Sequence, residues 1–133
     1  MDFEELKTEV EKDLSWKISN CTEISTRVPL IKSKYCAMLY YVEIKLKAKE
    51  MNVDSVYSEL FKEYATGNMS NSIIDRRDIP MYVAGEKKYL GALAECEIQR
   101  SRAKYLEGVL KAVDSMTFSI NSAIKWEIFS NGG

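Results

Sequence analysis

Residues 105–133, YLEGVLKAVDSMTFSINSAIKWEIFSNGG, decide the fold class. Leu106, Val109, Leu110, Val113, Met116, Ile120, Ala123, Ile124 and Ile128 recur at three- and four-residue intervals. A helix turns about 100° per residue, so this spacing lays them along one face, and two glycines close the stretch. Beyond Ser115 the pattern broadens, with Phe118, Trp126 and Phe129 placing rings off that face. One face can be buried by a helix of the same chain. The bulk left over predicts a contact with another subunit through Met116, Phe118, Ile120, Ile124, Trp126, Ile128 and Phe129, with Trp126 and Phe129 as anchors.

The rest of the chain reads the same way. Asp2-x-x-Glu5 fits a capping box, and Phe3, Leu6, Val10 and Leu14 make a short amphipathic helix over about 2–14. Glu4, Glu5, Glu9 and Glu11, among lysines, read as its solvated face. Ser15 to Asn20 predicts a bend, and Asn20 or Thr22 starts a long helix over about 20–64. Its stripe is Val28, Ile31, Tyr35, Met38, Val42 and Leu46; after a slip in register near Lys49 come Val53, Val56, Leu60 and Tyr64. Pro29 has no amide hydrogen, so a kink or fresh start is expected there. A loop follows over about 65–78, clearest in the Asn-, Ser- and Gly-rich run from Gly67 to Ile74. Asp78-Ile79-Pro80 opens a second long helix over about 80–129, helical throughout from about Glu86 to Phe129 and interrupted there only by Gly91 and Gly108.

With 133 residues, 46% apolar, 29% charged, six glycines and two prolines, the chain is expected to be one all-α domain spanning 1–133. Two helices of about 40 residues would each be roughly 60 Å long and cannot bury their stripes as a lone globule. They are expected to pair as an antiparallel hairpin and to leave apolar faces for other subunits. A kinked three- or four-helix monomer is the compact alternative. No run of about 18 apolar residues exists to span a membrane, and acidic Met1-Asp2-Phe3-Glu4-Glu5 is no signal peptide. Cys21, Cys36 and Cys96 are widely spaced, with no CxxC pair and no histidine. No metal and no cofactor are expected, and the thiols suit a reducing compartment. No phosphate loop, nucleophile elbow or dinucleotide fingerprint is present, so no catalytic residues are assigned and an enzyme is not expected.

The formal charge is −1, but it is unevenly spread. From Arg27 to Lys49 there are six basic residues (Arg27, Lys32, Lys34, Lys45, Lys47, Lys49) against Glu43 alone, a local balance of +5. On a continuous helix Arg27, Lys34, Lys45 and Lys49 fall within an arc of roughly 60°, bordered by Tyr41. Cations for phosphates beside a ring for unpaired bases suit single-stranded DNA, with binding weakened by salt. The plainer reading is that these lysines only keep a long helix solvated. Arg76 and Arg77 form a second candidate group beside the loop. Lys87, Lys88, Arg100, Arg102 and Lys104 lie among Glu95, Glu97 and Glu107, where ion pairing competes as the explanation.

Several segments, taken in order, resemble one family. They are Tyr105-Leu106-Glu107, Leu110-Lys111, Phe118, Ile120, Ala123-Ile124, Trp126, Phe129 and the final glycine pair. Asp78-Ile79-Pro80-Met81-Tyr82, Tyr64-Ala65-Thr66-Gly67, Val28-Pro29-Leu30 with Lys34-Tyr35, and Glu4-Glu5-Leu6 to Lys12-Asp13 extend the match along nearly the whole chain. The pattern resembles the UvsY family, recombination mediators of myovirus-type phages. The resemblance implies a non-enzymatic mediator acting in recombination, repair and recombination-dependent replication in the cytoplasm of an infected bacterium. It would bind single-stranded DNA as a homo-oligomeric ring, hexamer or heptamer. There it would promote loading of the phage recombinase onto DNA covered by the phage single-strand-binding protein. Relatives carry DNA-linked basic residues near positions 58–61, where this chain reads Ser58-Glu59-Leu60-Phe61 and only Lys62 is basic. That departure shifts the expectation to Lys45, Lys47, Lys49 and Lys62 together. A coiled-coil adaptor or scaffold without nucleic-acid binding explains the stripes equally well.

Overall fold

A computed structural model describes residues 1–67 and 74–132. Four helices follow one another: α1 (Phe3–Asp13), α2 (Cys21–Ala65), α3 (Ile79–Ala84) and α4 (Lys87–Ser130). A 3-10 turn, Ile18–Asn20, precedes α2, and no strand occurs among the described residues. The fold is all-α, as the periodicity predicts. Positions 68–73 of the expected loop lie outside the described residues.

Local chemistry sets the helix ends. The capping box at α1 is present: the Glu5 amide donates to Asp2 Oδ1 at 2.8 Å and the Asp2 amide to Glu5 Oε2 at 3.2 Å. Gly67, at φ 78°, takes the left-handed conformation that closes α2, and its amide reaches the Tyr64 carbonyl at 3.2 Å. Two expectations need correction. Pro29 lies inside α2, so no fresh helix starts there; the nearby Val28 and Ile31 are buried. The segment expected as one helix from about 80 is split at Gly85, with α3 ending there and α4 starting at Lys87. Ile79 and Val83 of α3 are fully buried, so packing pulls this short turn inward.

The chain forms two compact units, Met1–Tyr40 with Lys104–Gly133, and Tyr41–Ala103. In the first, the opening of α2 and the closing part of α4 run antiparallel: Cys21 Sγ lies 3.7 Å from Glu127 Oε2, and Lys32 pairs with Asp114 at 3.0 Å. Ile24, Val28, Ile31 and Tyr35 of α2 and Leu106, Val109, Val113, Met116 and Ile120 of α4 are buried. Helix α1 lies over both strips. Its Leu6 and Val10 are buried, Phe3 meets Tyr105 edge-on at 5.0 Å, and Val10 and Leu14 share a groove with Gly108, Val109 and Ala112.

In the second unit, α2 and α4 are again antiparallel, tied by Lys49 to Glu95 at 2.9 Å and by Lys88 to Glu59 at 3.2 Å. Its core joins Val56, Leu60 and Tyr64 of α2, Ile79 and Val83 of α3, and Ala92 of α4. The Tyr64 ring rests 5.7 Å from that of Tyr82, and its hydroxyl donates to Glu86, which sits at the break between α3 and α4. Cys21 and Cys96 are buried and Cys36 is exposed, all as free thiols.

Candidate nucleic-acid interface

In the second unit, Tyr41 and Lys45 stand four residues apart on α2, one above the other on the helix surface, and both are exposed. Ile44, Ala48 and Met51 continue this exposed face, with Ile44 half and Met51 nearly two-thirds accessible. Lys45 makes no ion pair among the described residues. An aromatic face, an apolar strip and an unneutralised cation are therefore within one helical turn of each other, the elements a stacked base and its phosphate need.

The other predicted cations divide by environment. Lys47 is exposed and without an ion pair among the described residues, but it points roughly 120° around the helix from Tyr41. Lys49 faces α4 and is held by Glu95. Lys62 is exposed, roughly 25 Å further along α2 than Lys45 at 1.5 Å per residue, so it belongs to a different part of the surface. Arg76 is exposed; Arg77 donates through both its amide and its guanidinium to Asp75. Those bonds, the backbone one foremost, hold the Asp75 carboxyl below its ordinary value. Of the basic residues read as an ion-paired group, Lys88 pairs with Glu59, and Arg100 pairs with Glu50 and Glu97.

Arg27 and Lys34 belong to the first unit. Arg27 is exposed, while Lys34 is caged: its ammonium meets both Glu9 and, at 2.7 Å, Asp13 of α1. The side chains of Lys34, Glu9 and Asp13 are only 34%, 30% and 13% exposed, so water screens this contact less than the surface pairs. The hydroxyl of the fully buried Tyr35 donates to the same Asp13 oxygen at 2.6 Å. Burial pushes the Asp13 carboxyl up, but the hydrogen bonds from Lys34 and Tyr35 and the charges of Lys34 and Arg27 outweigh it and hold it low. For Lys34, burial pulls down and the bonds to Asp13 and Glu9 prevail, raising it. Tyr35 is raised by burial first and then by Asp13. Sequence reading assigned Glu9 to a solvated face and missed this network. No local signal reveals it, because Glu9 and Asp13 lie more than 20 positions from Lys34 and Tyr35 and meet them only through packing.

The residues predicted to join subunits also separate. Met116 and Ile120 are buried among the side chains of the first unit, so that expectation is corrected for both; their spacing with Val109 and Val113 puts them on the inward face. Ile124 is half-buried. Phe118, Trp126, Ile128 and Phe129 are each more than half exposed, and the Trp126 and Phe129 rings stack at 6.0 Å. Among the described residues no cluster of His, Cys, Asp or Glu fit to hold a metal occurs, and no helix is long and apolar enough to cross a membrane.

Residues 9–133 match a family model described as "Recombination, repair and ssDNA binding protein UvsY". The chain belongs to the UvsY family. Membership puts it among recombination and repair proteins. Crystal structures of the recombination mediator protein UvsY of bacteriophage T4 share its fold. In one lattice the TM-score is 0.87 at 15% identity, covering 98% of this chain and 99% of that one. In a second it is 0.84 at 15% identity with 98% of both chains covered, and in a third 0.81 at 14% identity with 95% and 98% covered. Comparison with curated proteins finds no significant match.

Proposed function

We propose that this chain is a non-enzymatic recombination mediator. It binds single-stranded DNA as a homo-oligomer and helps a phage recombinase load onto DNA coated by single-strand-binding protein, in the cytoplasm of the infected host. The observation that carries this reading is the UvsY family match over residues 9–133. The exposed Tyr41 and Lys45, with Lys47 nearby, support a strand-binding role for α2, and Arg76 and Lys62 supply further cations. Such a site is weak singly and needs repetition: linked copies raise effective concentration, which lets a slightly acidic protein hold DNA. The exposed Phe118, Trp126, Ile128 and Phe129, with Ile124, are the surface we assign to subunit contact.

The test is recombinase ATPase activity on single-stranded DNA already covered by its binding protein. Addition of this chain should shorten the lag, and Lys45→Ala/Lys47→Ala should weaken the effect. No stimulation at any concentration would sink the mediator role. A scaffold without nucleic-acid binding is the second reading. It is favoured by Lys32, Lys34 and Lys49, half of the six basic residues between Arg27 and Lys49, being spent on ion pairs within the chain. Fluorescence anisotropy with a labelled oligonucleotide at low and high salt separates the two: salt-sensitive binding supports the mediator, and silence supports the scaffold.

A further inference from the structure

Helix α1 and its preceding cap residue are strongly acidic. Residues 2–13 carry Asp2, Glu4, Glu5, Glu9, Glu11 and Asp13 against Lys7 and Lys12, a balance of −4. The part of α2 that it meets, residues 27–34, carries Arg27, Lys32 and Lys34 and no acid. Lys32 is taken by Asp114 of α4. Of the other two, Lys34 is gripped by the Glu9 and Asp13 carboxylates, and the exposed Arg27, two turns back on the same face of α2, adds a charge that acts on Asp13. Two carboxylates with oxygens on one ammonium offer it what a phosphodiester offers, negative oxygens at hydrogen-bond distance.

We propose that α1 is an acidic strap competing with nucleic-acid phosphate for Lys34 and Arg27, so that the first unit engages a strand only when the strap releases Lys34. The inference rests on the strand-binding reading above and adds a regulation to it. The strap is suited to release. Within α1 only Leu6 and Val10 are buried, Phe3 remains 44% exposed, and the acids on the outer face make no ion pair among the described residues, so charge on Lys34 is a large part of what seats the helix. A polyanion arriving at Arg27 meets α1's negative field first. Binding of the strand and seating of Glu9 and Asp13 are thus mutually exclusive at Lys34, and a partner that captures α1 would raise affinity for DNA.

The experiment compares full-length wild type with Glu9→Gln/Asp13→Asn, which keeps hydrogen-bond acceptors in place but removes both charges. Affinity for a labelled oligo-dT is read by anisotropy across a salt series. Freeing one phosphate contact should steepen the salt slope by about 0.7 and, at 0.1 M salt, tighten binding about fivefold for each subunit engaged. In parallel, acylation of Lys34 by an amine-reactive ester is mapped by mass spectrometry. It should be slow in wild type, fast in the variant, and suppressed again when oligo-dT is added to the variant. Glu4→Gln/Glu11→Gln makes the same change in net charge at carboxylates that hold no lysine, and should tighten binding much less. If the double variant loses helicity, Glu9→Gln alone leaves the bonds of Asp13 to Tyr35 and Lys34 intact and should give a smaller gain of the same sign. Wild-type affinity in a folded variant, an equal gain in the control pair, or no protection of Lys34 by oligo-dT each overturns the strap while leaving strand binding standing. Absence of oligonucleotide binding in every form removes the strand-binding reading, and the strap with it.

Discussion

Replacing Tyr35 with phenylalanine removes a single oxygen and keeps a ring that is fully buried between α1, α2 and α4. The lost interaction is the 2.6 Å bond to Asp13 Oδ2, a hydrogen bond to a charged acceptor. Such bonds contribute about 1.5–3 kcal/mol net. Asp13 keeps Lys34 at 2.7 Å and so is not left unpaired, which places the expected loss near the lower end, about 1.5–2 kcal/mol at pH 7. The loss must also depend on pH. Asp13 is held below its ordinary value of 3.8 in the folded chain, so its contribution is complete above that value. It disappears as pH falls through the lower folded value, because the unfolded state then binds its proton first. The difference between wild type and Tyr35→Phe should therefore be flat from pH 7 to about 5 and shrink below 3.8. Urea unfolding followed by circular dichroism, at one protein concentration and a range of pH, measures it. Equal stability of the two proteins at pH 7, or a difference that does not shrink in acid, would refute Asp13 as the charged acceptor.

Alkaline pH acts on the same cluster with the opposite sign. Lys34 and Tyr35 are both raised, so their stabilisation is present below their ordinary values of 10.5 and 10.0 and is lost above them; unfolding midpoints should fall once pH exceeds about 10. An added methyl meets nothing within 4 Å at Gly91 or Gly108, so Gly91→Ala and Gly108→Ala should each stabilise by about 0.5–1 kcal/mol in thermal or urea unfolding. Leu106 is 1% exposed in the first unit, and Leu106→Ala should destabilise by about 2–5 kcal/mol on the same measurement. Trp126→Ser/Phe129→Ser should reduce the assembled mass in light scattering without loss of helicity; these point changes are cleaner than truncation after Ser115, which would strip Met116 and Ile120 from the core.

Helical type, the capped start of α1 and the inward stripe were legible in the chain itself. The reason is that an α-helix repeats locally: spacing alone decides that Val109, Val113, Met116 and Ile120 share a face, and an Asp-x-x-Glu pair or a glycine able to adopt φ 78° marks an end without help from distant residues. The family pattern was legible for the same reason, as ordered matches along one dimension. What spacing could not supply is which partner a charged or apolar side chain meets. Lys34 and Lys45 look alike in sequence and sit on nearly the same angular arc, yet one is caged by α1 and the other makes no ion pair among the described residues. Met116 and Phe118 both read as interface bulk, yet the helix turns one into the core and leaves the other three-quarters exposed. Pro29 reads as a kink or a fresh start, yet α2 does not start afresh there. The sequence by itself determined helices, caps and composition of each face, because those depend on neighbours within one or two turns. Only the tertiary structure decided which cations remain available and which apolar residues remain uncovered, because both depend on chain segments tens of residues away arriving at the same place.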